Sequence, residues 1–158
     1  GMSCVDLGAA PGGWSQVAAE RVAPGGRVLA LDVLPMAPIA GVEFIQGDFT
    51  EPETLAALRA ALGPDRVHLV MSDMAPNISG NRAVDQARAM DLAELALELA
   101  REVLRPDGSL LVKLFQGEGF EAYRHAAQAL FHQLKFKKPP ASRSKSREMY
   151  LLARNLRI

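Results

Sequence analysis

The sequence predicts an α/β domain: a largely parallel sheet with helices on both faces. Short apolar, β-leaning runs alternate with stretches of helical periodicity through most of the 158 residues. The runs are apolar throughout rather than at every second position, as strands covered on both faces require. Clusters such as Pro24-Gly25-Gly26, Gly63-Pro64-Asp65 and Pro106-Asp107-Gly108 separate the segments.

The first strand spans residues 4–7 and gives way to Gly8 and then Pro11-Gly12-Gly13. Trp14 opens a helix whose face is marked by Trp14, Val17, Ala18, Arg21 and Val22. Glycines at such a turn permit positive φ and close approach of a ligand, and the helix N-terminus offers free N–H groups to an anion. A nucleotide-like cofactor is therefore the first expectation. Residues 27–31 form a second strand ending at Asp32, after which Pro35 and Pro38 exclude regular structure. Residues 42–46 form a third, closed by Gly47-Asp48. Thr50 and Glu53 have the spacing of a capping box for a helix striped by Leu55, Leu58 and Leu62. A fourth strand, 66–72, precedes Asp73-Met74-Ala75-Pro76-Asn77 and a polar, turn-rich stretch over 77–84. Leu92, Leu95, Ala96, Leu99 and Val103 mark a helix over 85–104. The fifth strand, 109–115, carries Lys113 in its interior; a helix over 118–134, a lysine-rich segment and a last strand over 149–153 complete the chain.

Composition narrows the function classes. Apolar residues make up 49% and charged residues 23%, which excludes a disordered chain and fits one domain over residues 1–158. Eighteen cations balance eighteen anions, which argues against non-specific coating of nucleic acid but not against a local basic patch. Cys4 is the only cysteine and the three histidines are scattered, so neither a disulfide nor a metal site is expected. No apolar run approaches the roughly 20 residues that span a bilayer, and no secretory signal is visible, so the expected location is the cytoplasm or an organelle matrix. A chain that starts directly on its first core strand reads as a domain lacking an upstream segment.

In such sheets ligands bind beyond the carboxyl ends of the strands, which directs attention to Gly8–Trp14, Asp32, Asp48 and Asp73. Asp32 stands where a carboxylate accepts ribose hydroxyls, although a turn aspartate ahead of Pro35 has the same appearance. Asp48, in Gln46-Gly47-Asp48-Phe49, is placed to meet an adenine edge or to lead a turn. The loop reads G-A-A-P-G-G rather than the G-x-G-x-x-G of dehydrogenases. That disfavours a nicotinamide cofactor and suits a ligand with an amino-acid end, as in S-adenosylmethionine.

Lys113 is flanked by Leu110, Leu111, Val112, Leu114 and Phe115, where a charge is costly unless paired. Asp73 ends the neighbouring strand and supplies a carboxylate. A lysine held this way can position an alcohol and help to deprotonate it, whereas a lysine snorkelling to water would have no such role. A carboxylate at position 73, in place of the Asn-Pro-Pro-Tyr-like tetrapeptide of enzymes that methylate base amines, also suits an alcohol. Lys135, Lys137, Lys138, Arg143, Lys145 and Arg147 form a basic stretch, within which residues 141–147, with three cations and Ser142, Ser144 and Ser146, read as a phosphate-contact loop or a solvated charged loop. Glu148 follows directly, as a site carboxylate or an ion-pair partner for those cations.

Together V-D-L-G-A-A-P-G-G-W-S-Q, Q-G-D-F, M-S-D-M-A-P-N-x-S-G, V-K-L-F-Q-G-E-G-F and S-R-S-K-S-R-E-M-Y resemble the FtsJ/RrmJ family of ribosomal RNA 2′-O-ribose methyltransferases, its bacterial or mitochondrial large-subunit branch. The resemblance implies a Rossmann-like class I methyltransferase sheet of seven strands with an antiparallel last strand. It implies S-adenosylmethionine as cofactor, with S-adenosylhomocysteine as product, and contacts to it from Gly12, Trp14, Asp32, Asp48 and Asp73. It also implies a Lys-Asp-Lys-Glu tetrad in which Asp73, Lys113 and Glu148 are the last three members. The first lysine belongs to an upstream helix that, like the family's basic arm, has no counterpart here, which implies impaired catalysis by the chain as given. The implied partner is ribosomal RNA in the assembled large subunit, a uridine being the methyl acceptor, and the implied enzyme is a monomer that needs no membrane. The alternative is a non-catalytic RNA-binding or ribosome-assembly module that keeps the fold.

Overall fold

Aliphatic and β-branched runs extend as β1 (Ser3–Leu7), β2 (Arg27–Asp32), β3 (Val42–Gln46), β4 (Val67–Ser72), β5 (Leu104–Phe115), β6 (Phe131–Lys137) and β7 (Glu148–Leu156). These are the strands of a computed structural model that describes residues 1–138 and 147–157. Between them lie α1 (Gly13–Val22), α2 (Pro52–Leu62), α3 (Arg82–Val103) and α4 (Phe120–Leu130). The strands form one seven-stranded sheet in the order β3-β2-β1-β4-β5-β7-β6. Only β7 runs against its neighbours, pairing antiparallel with β5 and β6, while the other pairings are parallel. The expected α/β class, with its antiparallel last strand, is the observed one.

Side-chain alternation sorts the strands between two cores. Val5, Leu7, Leu29, Leu31, Val70, Leu110, Val112 and Leu114 join α2, α3 and α4 in the larger one. Cys4, Val28 and Met71 pack under α1 with Trp14, Ala18, Ala19 and Val22. Each fully buried leucine contributes roughly 1.5–3 kcal/mol relative to exposure. The α1 side is less completely covered: Leu111, Lys113 and Phe115 on β5 are half-buried, whereas Leu110, Val112 and Leu114 between them are fully buried.

Strand order reverses between β1 and β4, which brings Leu7 and Ser72 side by side in register. Backbone bonds continue past the strand ends. Asp73 N donates to Leu7 O (3.2 Å), Gly8 N to Leu31 O (2.8 Å) and Gly47 N to Asp32 O (2.8 Å). The loops that follow β1, β2, β3 and β4 are thereby fixed beside one another at the switch point, where a ligand crevice opens.

Five expectations change. The fifth strand starts at Leu104 rather than at residue 109, pairing there with Val67, so Pro106-Asp107-Gly108 lies within β5 instead of separating two segments. The helix over 118–134 stops at Leu130, and Phe131–Lys137 is a strand, β6, bonded to β7. The capping box does not form. Pro52 holds the first helical position, the cap is Glu51 in extended conformation with no side-chain bond, and Thr50 turns back to Asp48. The helix expected from 85 starts at Arg82, because Asn81 Oδ1 accepts from Val84 N at 3.2 Å and caps it. On α1, Val17 is exposed and Ser15 takes the buried place.

Candidate active site

The site starts from the loop after β1. Gly8 has φ of 72°, and a Cβ there would lie 2.8 Å from Met74 Cγ, so only glycine lets this loop pass against the one after β4. Gly12, at φ 118°, caps α1, and a Cβ there would sit 2.6 Å from Ile39 Cδ1.

A cleft of about 400 Å³ lies between these loops, lined among others by Gly8, Ala10, Asp32, Asp48, Asp73 and Met74. Its size suits a small-molecule ligand. Asp32 is held by backbone: Oδ2 accepts from Ala10 N (2.8 Å) and Oδ1 from Leu34 N (2.9 Å). Asp48 Oδ1 accepts from the Thr50 hydroxyl (2.7 Å) and amide (2.8 Å), which hold its carboxyl below the usual range and keep it ionised. Asp6 is 1% exposed on β1, in strand register with Met71 of β4. Ser15 Oγ donates to its Oδ2 at 2.6 Å, and Oδ1 has no partner among the described residues. Burial pushes the Asp6 carboxyl up to about 6; the Ser15 bond opposes this and the charges of Asp73 and Asp32 add to it. The strand ends thus present carboxylate acceptors beside a glycine turn, a set that fits a nucleoside carrying an amino-acid end.

At the lip of the cleft Lys113 Nζ lies 3.1 Å from Asp73 Oδ1, with the lysine side chain 13% exposed. Tyr150 OH donates to the same oxygen at 2.9 Å. Lys113 and Tyr150 face each other in the β5–β7 register, so one strand pairing delivers both to Asp73. Burial pushes the Tyr150 hydroxyl's pKa up, the bond and charge of Asp73 add to this, and Glu148 adds its own charge and bond. Tyr150 therefore keeps its proton and remains a donor. Its ring centroid lies 5.6 Å from that of Trp14, and Lys113 Nζ lies 5.9 Å from the Phe115 ring centroid.

Of the expected residues, Asp32, Asp48 and Asp73 share the cleft, Lys113 joins through Asp73, and Glu148 stands beside Tyr150 at the start of β7. Gly12 and Trp14 are not among the lining residues; Gly12 packs toward Met36 and Ile39, and Trp14 against Tyr150. The expected phosphate-contact loop falls largely in residues 139–146, outside the described residues; Arg147 O accepts from Gln116 N at 2.8 Å. Tyr150 and Asp6 were not anticipated. Tyr150 is two residues from Glu148 on one strand and so shares its face. Asp6 is a carboxylate inside an apolar strand, the same signal that singles out Lys113.

Solved structures with this architecture include a protein of Plasmodium falciparum described as a ribosomal RNA methyltransferase. It is 25% identical, with a TM-score of 0.87 over 98% of this chain and 86% of that one. Human methyltransferase-like protein 13 in complex with S-adenosylhomocysteine is 13% identical, with a TM-score of 0.66 over 98% and 72%. A ribosomal RNA methylase from Streptococcus thermophilus is 13% identical, with a TM-score of 0.62 over 99% and 87%. The model of the FtsJ-like methyltransferases matches residues 1–156, so the chain belongs to that family and takes S-adenosylmethionine as its cofactor.

Proposed function

We propose that this methyltransferase methylates a ribose 2′-oxygen in large-subunit ribosomal RNA, a uridine being the acceptor and the assembled subunit presenting it. The observation that carries the reading is the Lys113–Asp73 pair, 3.1 Å apart at the lip of the cleft. A lysine nitrogen fixed by a carboxylate is a partner for an alcohol oxygen, whereas an amine acceptor requires carbonyl and amide oxygens around it. The Plasmodium relative, described as acting on ribosomal RNA, supports an RNA substrate.

The cofactor supplies an electrophilic methyl group on a sulfonium. Asp32 would accept from the hydroxyls of its ribose, Asp48 from its adenine amine, and Asp73 would serve its amino-acid end, with Gly12 and Trp14 shaping the loop that carries the site. Lys113 Nζ bonds the 2′-oxygen of the RNA and holds it toward the cleft. The bound cofactor would supply the methyl group to this oxygen, and the hydroxyl proton leaves by way of the Lys113–Asp73 pair to solvent. Tyr150 and Glu148 keep Asp73 and Lys113 in place. Alignment of the two reactants accounts for most of the rate gain.

Assembled large subunits and free large-subunit RNA, each incubated with tritiated-methyl S-adenosylmethionine, test the proposal. Label recovered as 2′-O-methyluridine after nuclease digestion is the expected result, with subunits the better substrate. Label on a base would overturn the ribose reading. Subunit binding with no label would favour the non-catalytic module.

A further inference from the structure

Past Asp73, the loop between β4 and α3 separates the cofactor cleft from a second cavity of about 260 Å³, and Ala75 lines both. Pro76, Ile78 and Phe115 give this cavity apolar walls, and Arg82 and Arg147 add two guanidinium groups. It adjoins the reacting groups, since the Phe115 ring centroid lies 5.9 Å from Lys113 Nζ. Ile78 is 88% exposed, a large apolar side chain left in water.

Gln86, which also lines the cavity, is 7% exposed. Its amide nitrogen donates to Phe115 O and Glu118 O, both at 3.0 Å, so both of its hydrogens are committed. Oε1 is buried with no partner among the described residues. A buried carbonyl oxygen left in that state is destabilising, and a donor on a ligand would relieve it. Gly117 holds the corner together: a Cβ there would lie 3.3 Å from both Arg147 Nη1 and Gln86 Nε2, placing a cation beside the orphaned amide.

We propose that this cavity receives the base of a nucleotide adjoining the methylated one, an inference that rests on the RNA-methylation reading above. The Phe115 ring and the aliphatic Pro76 and Ile78 take the faces of a flat ring, as aromatic and apolar side chains do for unpaired bases. The Gln86 oxygen accepts from an N–H on the base edge, a group all four bases possess. Arg82 and Arg147 meet the flanking phosphates. The pocket would seat a neighbouring residue while Lys113 holds the 2′-oxygen, fixing the register of the strand.

The experiment titrates uridine, cytidine and guanosine 5′-monophosphates, and base-free ribose 5-phosphate, into protein saturated with S-adenosylhomocysteine, so that the cofactor cleft is closed to them. Methyl signals of Ile78 and Ala89 report occupancy by NMR. The nucleotides are expected to bind at least tenfold more tightly than ribose 5-phosphate, and Ile78→Ala and Gln86→Met to remove that advantage while leaving S-adenosylhomocysteine affinity unchanged. Gln86→Met also frees two carbonyls, so the exposed Ile78 provides the variant that leaves the core intact. Equal binding of ribose 5-phosphate and nucleotides, or an unaltered advantage in Ile78→Ala, would overturn the pocket. Tritium transfer to ribosomal RNA by the same wild-type protein separates the two readings. Transfer without nucleotide binding removes the base pocket alone, and nucleotide binding with label recovered on a base removes the ribose-methylation reading alone.

Discussion

Asp6 is the residue whose environment makes the sharpest demand on pH. Burial holds its folded-state pKa near 6, above its value in an unfolded chain, so between roughly pH 4 and 6 the native state binds the extra proton. The stability this group contributes is complete below that window and is lost as pH rises through 6, on the order of 2–3 kcal/mol in all. Asp6→Asn cannot ionise, yet it can still accept the Ser15 bond. Its melting temperature relative to wild type is therefore expected to rise between pH 4 and 7 and then level off. A pH-independent difference would show that Asp6 is not the titrating group. Lys113 and Tyr150 separate chemistry from support. If the nitrogen acts on the acceptor, as proposed, Lys113→Ala should lower methyl transfer by at least a hundredfold with S-adenosylhomocysteine affinity preserved. Tyr150→Phe removes one bond to Asp73, so about 1 kcal/mol of stability and a smaller loss of kcat are expected, read by urea unfolding and initial rates.

At the scale of elements, the sequence was legible where glycine and proline mark the boundaries. The strand ends at Asp32, Asp48 and Asp73 are each followed by such residues, and the cleft carboxylates stand where strand counting puts them. It was illegible at Leu130. Tyr123, Ala127 and Phe131 recur every fourth residue, so the helical period runs through the boundary without a glycine or proline to stop it. What ends α4 is the pairing of Phe131–Lys137 with β7, a long-range ladder that local periodicity does not encode. Tyr150 was hidden for a related reason. Its importance depends on its place opposite Lys113, which only the β5–β7 register reveals. Phe131 anchors that arrangement, 1% exposed where α4 turns into β6. Phe131→Ala should cost roughly 3–5 kcal/mol in urea unfolding and weaken the edge that supports β7. A loss below 1 kcal/mol would mean that the β6–β7 edge is not seated on the core.

For the whole molecule, the site is assembled from four strand ends across one cooperative sheet, so cofactor binding and global stability are one linked equilibrium. A ligand bound only by the native state adds about 2.7 kcal/mol at a hundred times its dissociation constant. For a domain of this size that corresponds to a rise in melting temperature of roughly 5–10 °C. S-adenosylhomocysteine is expected to produce such a rise. Asp48 provides the control, because its half-buried carboxylate bonds only Thr50 among the described residues. Asp48→Asn should leave the melting temperature of the free protein nearly unchanged. If it weakens the cofactor about tenfold, the ligand-induced rise should shrink by about 1.4 kcal/mol, roughly half of the effect, at the same concentration. Differential scanning calorimetry with and without ligand reads both quantities. A full shift in the variant would remove Asp48 from the proposed cofactor site without touching the proposed role of the Lys113–Asp73 pair at its lip.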